Sequence, residues 1–333
     1  MLSNQIATSN IKMKTYQQLW QSLTPLYDAG EAQAIVRTVL DVKYGMTLTD
    51  IICGKVNEIS ADEERKLEEI IIRLQKGEPV QYVLGEADFA GRPFHVEPGV
   101  LIPRPETAEL CQWIEKDMIE KSIVSSEDSP QATDDARQIL DICTGSGCIA
   151  ITLGLNIPNS EVTGWDISED ALRIAQGNVK MLKARNVRIE YQDALALRKA
   201  AETDNEKMKV NADKEVVKPK GEAKTPSTQI WDMIVSNPPY ICEKEKADME
   251  KNVLEHEPSL ALFVPDEDPL KFYRAIAEYA SSALKSGGTL YFEINPIYEK
   301  ETREMLLKLD FKDIETKEDA FGKKRMMRAK STK

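Results

Sequence analysis

The sequence predicts an α/β protein, a doubly wound sheet preceded by a small N-terminal helical domain. Three observations predict it. From Gln138 onward, strand-like apolar runs alternate with amphipathic segments, the pattern of strands joined by crossover helices. A glycine-rich turn follows the first of those runs. Residues 11 to 76 carry helical periodicity and capping signals instead.

Segments around Tyr16–Leu26 and Glu31–Tyr44 read as the first helices. In SADEERKLEEIIIRLQKG, Ser60 and Glu63 are spaced as a capping box, Leu67, Ile70, Ile71 and Leu74 share one face, and Gly77 is placed to close the helix. A domain of about four helices is therefore expected over residues 1–84. Residues 85–104 change character. In EADFAGRPFHVEPGVLIP, glycines and prolines punctuate short apolar runs, which fits a hairpin-like linker.

The remaining 105–333 form the α/β domain, with QILDIC, EVTGWD, VRIEYQ, WDMIVS and GTLYFEI as its strands. Two stretches interrupt the alternation, at about 123–137 and 198–229. The second is rich in Lys, Glu, Asp and Thr and poor in large apolar residues, so it is expected to be a solvated, disordered insertion.

Composition excludes several classes. The 333 residues are 41% hydrophobic and 30% charged, ordinary proportions for a soluble protein. No apolar run approaches the ~20 residues that span a bilayer, and MLSNQIATSNIKMK lacks the apolar stretch of a signal peptide. A cytoplasmic location without membrane partners is expected. The net charge of −12 argues against non-specific binding to a nucleic-acid backbone. Cys53, Cys111, Cys143, Cys148 and Cys242 form no CxxC pair, and only His95 and His256 are present, so neither a disulfide framework nor a metal site is expected.

Asp141-Ile142-Cys143-Thr144-Gly145-Ser146-Gly147-Cys148 follows a strand and opens a helix over Ile149–Leu155. Glycines there let the backbone approach a ligand that a Cβ would hold off. The spacing is not the full dinucleotide fingerprint, and no lysine follows as in a P-loop. EVTGWD ends at Asp166, placed to accept both hydroxyls of a ribose or to cap the helix starting near Ser168. A nucleoside ligand follows, either a dinucleotide or S-adenosylmethionine. The third strand ends at Gln192-Asp193, where Asp193 could reach an adenine amino group or serve as a turn residue.

WDMIVS leads directly into Asn237-Pro238-Pro239-Tyr240. Ligand crevices of open α/β sheets lie at the carboxyl ends of strands, beside the glycine turn. The prolines have no N–H, so the turn presents carbonyl oxygens in a fixed geometry, and Asn237 adds a side-chain carbonyl. Together they offer two acceptors to a substrate NH₂ group, and Tyr240 offers a flat face to a planar substrate. Such a site suits methyl transfer to a conjugated nitrogen.

DICTGSGCIAI, Asp166 and SNPPYI resemble the S-adenosylmethionine-dependent amino-methyltransferases. The NPPY tetrad is shared by DNA adenine, RNA guanine and protein glutamine methyltransferases. Gly77–Leu110, Glu255–Ile276 and the closing FGKKRMMRA narrow the resemblance to the HemK/PrmC family. It runs from the helical N-terminus to the last strand, apart from the two insertions. It implies a Rossmann-like class I methyltransferase sheet, and methyl transfer from S-adenosyl-L-methionine to the GGQ-motif glutamine of peptide chain release factors. S-adenosyl-L-homocysteine would be the product.

The resemblance also places residues. Cys143, Thr144, Gly145, Ser146 and Gly147 would wrap the methionine part of the cofactor, Asp166 its ribose, and Asp193 and Ala194 its adenine, with Asn237 beside it. Asn237, Pro238, Pro239 and Tyr240 would hold the glutamine amide, with Asn237, Pro238 and Tyr240 as the catalytic set. Arg104 to Thr107 would help shape the cofactor pocket, or pack there with Pro105 starting a helix. Three departures stand out. Cys143 replaces the family's first glycine, Ala194 replaces a frequent aromatic, and Phe292–Pro296 (FEINP) replaces a glycine-containing strand end with no evident consequence for chemistry. A different protein glutamine, such as one on a ribosomal protein, and a nucleic-acid amino group are the alternative acceptors. Residues 1–90 hold 9 Lys/Arg against 13 Asp/Glu, a poor nucleic-acid face.

Overall fold

A computed structural model describes residues 15–128, 136–197 and 231–332. The chain divides into two compact units, one running to Gly85 and joined by Lys251–His256, the other holding the rest. The expected insertion at 198–229 lies outside the described residues.

The smaller unit contains α1 (Tyr16–Gln21), α2 (Ala29–Tyr44), α3 (Leu48–Ile52), α4 (Ala61–Leu74) and α5 (Val80–Leu84). The sequence suggested about four helices. α3 and α5 span only five residues each, too short to show a 3.6-residue period. The capping box at α4 is present, with Ser60 and Glu63 each satisfying the other's backbone N–H. That helix ends at Leu74 with Gln75 as its cap, and Gly77 turns the chain two residues later at φ +82°. Leu19, Val36, Leu40, Leu67, Ile71, Leu74 and Val83 build the core of this unit. Arg73 pairs with Glu78 and donates to the Val83 carbonyl at 3.2 Å, fixing the turn into α5.

The larger unit opens with the hairpin β1 (Glu86–Phe89) and β2 (Arg92–His95). Helix α6 (Pro105–Asp128) follows. It continues through 123–128, where an insertion was expected, because no glycine or proline stands between Pro105 and Pro130 to stop it. Residues 129–135 lie outside the described residues. Then come β3 (Arg137–Ile142), α7 (Cys148–Asn156), β4 (Ser160–Asp166), α8 (Glu169–Met181), β5 (Val187–Tyr191) and β6 (Trp231–Ser236). After β6 lie the two-residue β7 (Ile241–Cys242), α9 (Lys251–His256), α10 (Ser259–Leu262) and β8 (Phe263–Val264). The chain closes with α11 (Lys271–Ala283), β9 (Leu284–Glu293), α12 (Glu299–Lys308), β10 (Lys312–Glu318) and β11 (Lys324–Lys330).

Seven strands form one sheet in the order β10-β11-β9-β6-β3-β4-β5. The five from β9 to β5 are parallel, and β11 and β10 complete the edge antiparallel. Alternate residues of each strand feed opposite faces. Leu140, Ile234, Leu290 and Phe292 pack with Tyr273 and Ile276 of α11, while Ile139, Met233, Val235 and Tyr291 pack with Leu110 and Ile114 of α6. The order reverses beside β3, which pairs β4 on one side and β6 on the other. Such a switch point opens the crevice where α/β sheets bind ligands.

Candidate active site

Strand register assembles the site. Ile142 lies beside Trp165 on one side and Ser236 on the other, and Ser236 lies beside Phe292. The next residue of each strand therefore falls in one row across the carboxyl edge: Asp166, Cys143, Asn237 and Glu293. Ser236 ties the middle of that row by donating its hydroxyl to the Ile142 carbonyl at 2.5 Å.

The glycine turn is built from below. Asp141, fully buried, accepts the Thr144 hydroxyl at 2.6 Å and the Ala150 N–H at 3.2 Å, joining the turn to the first turn of α7. The Thr144 N–H donates to the Trp165 carbonyl at 2.9 Å. Cys143 has φ +63°, so the residue in place of the family's first glycine keeps a left-handed backbone despite its Cβ. Gly145 lies at φ +55° with nothing within 4 Å of where a Cβ would stand, whereas a Cβ on Gly147 would meet Ile151 at 3.1 Å and Ala175 at 3.2 Å. Gly145 thus leaves its space to the cleft, and Gly147 lets the strand, turn and helix α8 close together.

Asp166 accepts the Gly145 N–H at 2.9 Å through one oxygen and the Ser168 N–H at 2.9 Å through the other. The carboxyl also lines the cleft, where it can still accept from a ligand hydroxyl. Burial pushes its carboxyl up, and the N–H donors of Ser168, Gly145 and Ile167 pull it back. The cap of α8 is Ser168, whose side chain accepts from Ala171, so Asp166 is not spent on capping. Asp193 accepts the Leu195 N–H at 2.8 Å and so closes its own turn.

Around these residues lies a cleft of about 1130 Å³, its open mouth included. Cys143, Thr144, Gly145, Ser146, Asp166, Asp193, Ala194, Asn237 and Pro239 line it, and Gly147, Pro238 and Tyr240 are not among its lining residues. Arg104 and Thr107 line it as well, and Pro105 does start α6. Arg104 pairs with the buried Glu257, which also accepts the Ile102 N–H at 3.2 Å and so pins the linker at the rim. Ile167, Leu195 and Phe272 give it an apolar wall. The bare glycine backbone, the Asp166 carboxyl at the strand end and the apolar wall together fit a nucleoside-bearing ligand such as S-adenosyl-L-methionine. Among the described residues no cluster of side chains could hold a metal ion.

Three supports were not singled out from sequence. Asn178 of α8, fully buried, donates to the Ser146 and His95 carbonyls at 2.9 and 3.0 Å and accepts the His95 N–H at 2.8 Å, holding the turn against the β1–β2 hairpin. Glu293, 2% exposed, accepts the Thr107 hydroxyl at 2.6 Å and the Tyr240 phenol at 3.0 Å. Asn295 donates to the Tyr240 carbonyl at 3.2 Å. FEINP, expected to be without consequence, therefore braces the Asn-Pro-Pro-Tyr turn from beneath. The signal for Glu293 was its position: like Asp166 and Asn237, it is the polar residue ending an apolar strand.

Residues 133–295 match the family described as methyltransferase domain, and residues 24–85 match the PrmC N-terminal domain. The chain is 44% identical to the release factor glutamine methyltransferase of Bacteroides thetaiotaomicron, over 93% of its own length and 96% of the relative. It is 36% identical to that of Flavobacterium psychrophilum, over 95% and 98%, and 35% identical to that of Streptococcus pneumoniae, over 85% and 86%. With its cleft and these matches along nearly its whole length, the chain belongs to the release factor glutamine methyltransferase family and is an S-adenosyl-L-methionine-dependent methyltransferase.

Proposed function

We propose that this protein methylates the side-chain amide nitrogen of the GGQ-motif glutamine in peptide chain release factors. The observation that supports the reading is the row Asp166, Cys143, Asn237 across adjacent strand ends, which brings the Asn-Pro-Pro-Tyr turn beside the glycine turn. S-adenosyl-L-methionine, when bound, supplies a methyl group on an already activated sulfonium leaving group. Cys143 to Ser146 would receive its amino-acid part, Asp166 the ribose hydroxyls, and Asp193 and Ala194 the adenine.

An amide nitrogen is a poor nucleophile because its lone pair is delocalised. Asn237 Oδ1 and the Pro238 carbonyl accept its two N–H groups, so the lone pair is turned toward the methyl carbon. The same acceptors stabilise the positive charge that develops on nitrogen during attack. Pro239 keeps the turn rigid, and Tyr240 packs against the planar amide. The proton leaves after transfer, so a catalytic histidine or cysteine is not required. The helical unit, matched to the PrmC N-terminal domain, is assigned the docking of the release factor.

The test is mass spectrometry of the GGQ peptide after incubating purified protein, S-adenosyl-L-methionine and a release factor. A glutamine-dependent gain of one methyl is expected. Methylation of a ribosomal-protein glutamine or a nucleic acid in parallel reactions, with none on the release factor, would reject the reading. Asn237→Ala should lower turnover by about 100-fold or more while leaving cofactor affinity nearly intact.

A further inference from the structure

Thr107 and Glu293 carry no role in the reading above, yet they form a continuous chain to Asn237. Asn237 Nδ2 lies 3.2 Å from Thr107 Oγ1, and Thr107 Oγ1 lies 2.6 Å from Glu293 Oε2. The other carboxylate oxygen takes the Tyr240 phenol, whose oxygen also meets Arg325 at 3.5 Å. Thr107 and Glu293 are each 2% exposed, so water does not compete for these bonds.

Proton counting then fixes a direction. An ionised carboxylate only accepts, and a hydroxyl has one proton to give. Burial raises the Glu293 carboxyl, against the opposing donors and the Arg325 charge; the bonds themselves set the direction, with Thr107 donating to one oxygen, and Tyr240, which accepts from Arg325, donating to the other. With the Thr107 proton committed to Glu293, its oxygen can only accept from Asn237. The two ends of an asparagine amide have nearly the same shape, so packing alone does not choose between them. Thr107 chooses: the NH₂ must face it, and Oδ1 must face the cleft.

We propose that Glu293 and Thr107 are positioning residues that orient the Asn237 amide so that the site presents an acceptor to the substrate nitrogen. This rests on the reading that Asn237 holds the substrate amide. A flipped Asn237 would present NH₂, repel the substrate NH₂ and attract its carbonyl oxygen instead. The nitrogen would then be turned away from the methyl carbon. Glu293 holds Tyr240 by the same carboxyl group, so one buried side chain sets both the acceptor and the flat wall.

Thr107→Val removes the hydroxyl at nearly constant volume, and Thr107→Ser keeps it while losing a buried methyl. In the full-length protein, Thr107→Val should lower kcat on a release factor by about 10- to 100-fold, the cost of one misdirected buried hydrogen bond. Cofactor affinity by calorimetry should stay within about twofold, since an unchanged binding term leaves K nearly unchanged. Thr107→Ser should recover most of the rate. Glu293→Gln, whose amide can donate to Thr107 and so release its proton toward Asn237, should lose kcat as Thr107→Val does. Wild-type kcat in both Thr107→Val and Glu293→Gln would overturn the proposal while the Asn237 reading stands. So would a Thr107→Ser loss as large as that of Thr107→Val, which would reduce Thr107 to packing. Wild-type turnover in Asn237→Ala would overturn both.

Discussion

Asp141 shows how a single buried carboxyl under the glycine turn couples the site to pH. It is fully buried, and burial pushes its carboxyl from the usual 3.8 to about 7, against the donors Thr144 and Ala150. In the unfolded chain the group ionises near 3.8, so between that value and 7 the folded state holds a proton that the unfolded state has released. Its contribution to stability is complete below 3.8 and is lost as pH rises to 7, by at most about 4 kcal/mol. Asp141→Asn removes the titration. The stability difference between wild type and Asp141→Asn, from urea unfolding of the ligand-free protein, should shift in favour of the variant between pH 4.5 and 7.5. A difference independent of pH would reject the assignment. A second residue-scale outcome concerns Asp166, whose carboxyl lines the cleft. Asp166→Ala should weaken S-adenosyl-L-methionine binding by about 10-fold or more, the worth of a hydrogen bond to a charged acceptor, and unchanged affinity by calorimetry would reject the ribose role. That Asp166 and Asn237 lie at the cleft was legible because each ends an apolar strand in sequence. Thr107 and Asn178 were not legible as supports, because their partners lie 130 and 32 residues away and only the folded register brings them together.

At the scale of elements, the site depends on how closely β4 passes the glycine turn. Gly164 of β4 is the point of approach: a Cβ there would stand 2.7 Å from Thr144 Oγ1 and 2.9 Å from Ile189 Cδ1. Neither neighbour can swing clear, since Thr144 is bound to Asp141 and Ile189 packs against the core. Gly164→Ala should therefore cost about 1–3 kcal/mol by overpacking. It should also weaken cofactor binding, because the Thr144 displacement moves the turn. Urea unfolding with calorimetry on the same variant checks both, and wild-type stability would show that the strand yields without cost. Of the five parallel strands, β3, β4, β6 and β9 were readable as mostly buried apolar runs, and the edge strand β5 by its alternation, with Val187 buried and Arg188 exposed. β7 and β8, two residues each, offer no period to read. Gly164 was hidden for a related reason: inside a strand, nothing in the local sequence says which neighbour comes close.

For the whole molecule, each unit carries its own apolar core, and every residue lining the cleft belongs to the larger one. The two-part organisation was visible as a switch from helical periodicity to alternating strands near residue 85. The assignment of Lys251–His256 to the helical unit was not, because those residues sit in sequence inside the α/β region. Ligand linkage acts only on the state that binds. S-adenosyl-L-methionine at 100 times its dissociation constant should therefore add about 2.7 kcal/mol to the larger unit and nothing to the helical one. Hydrogen exchange with and without the cofactor separates the two. Amides of β3, β4 and β6, which open only on global unfolding of the sheet, should gain protection of about 100-fold. Amides of α2 and α4 should keep theirs. Equal gains in α2 and α4 would show that the units unfold as one, and cofactor binding would then stabilise the helical unit as well as the sheet.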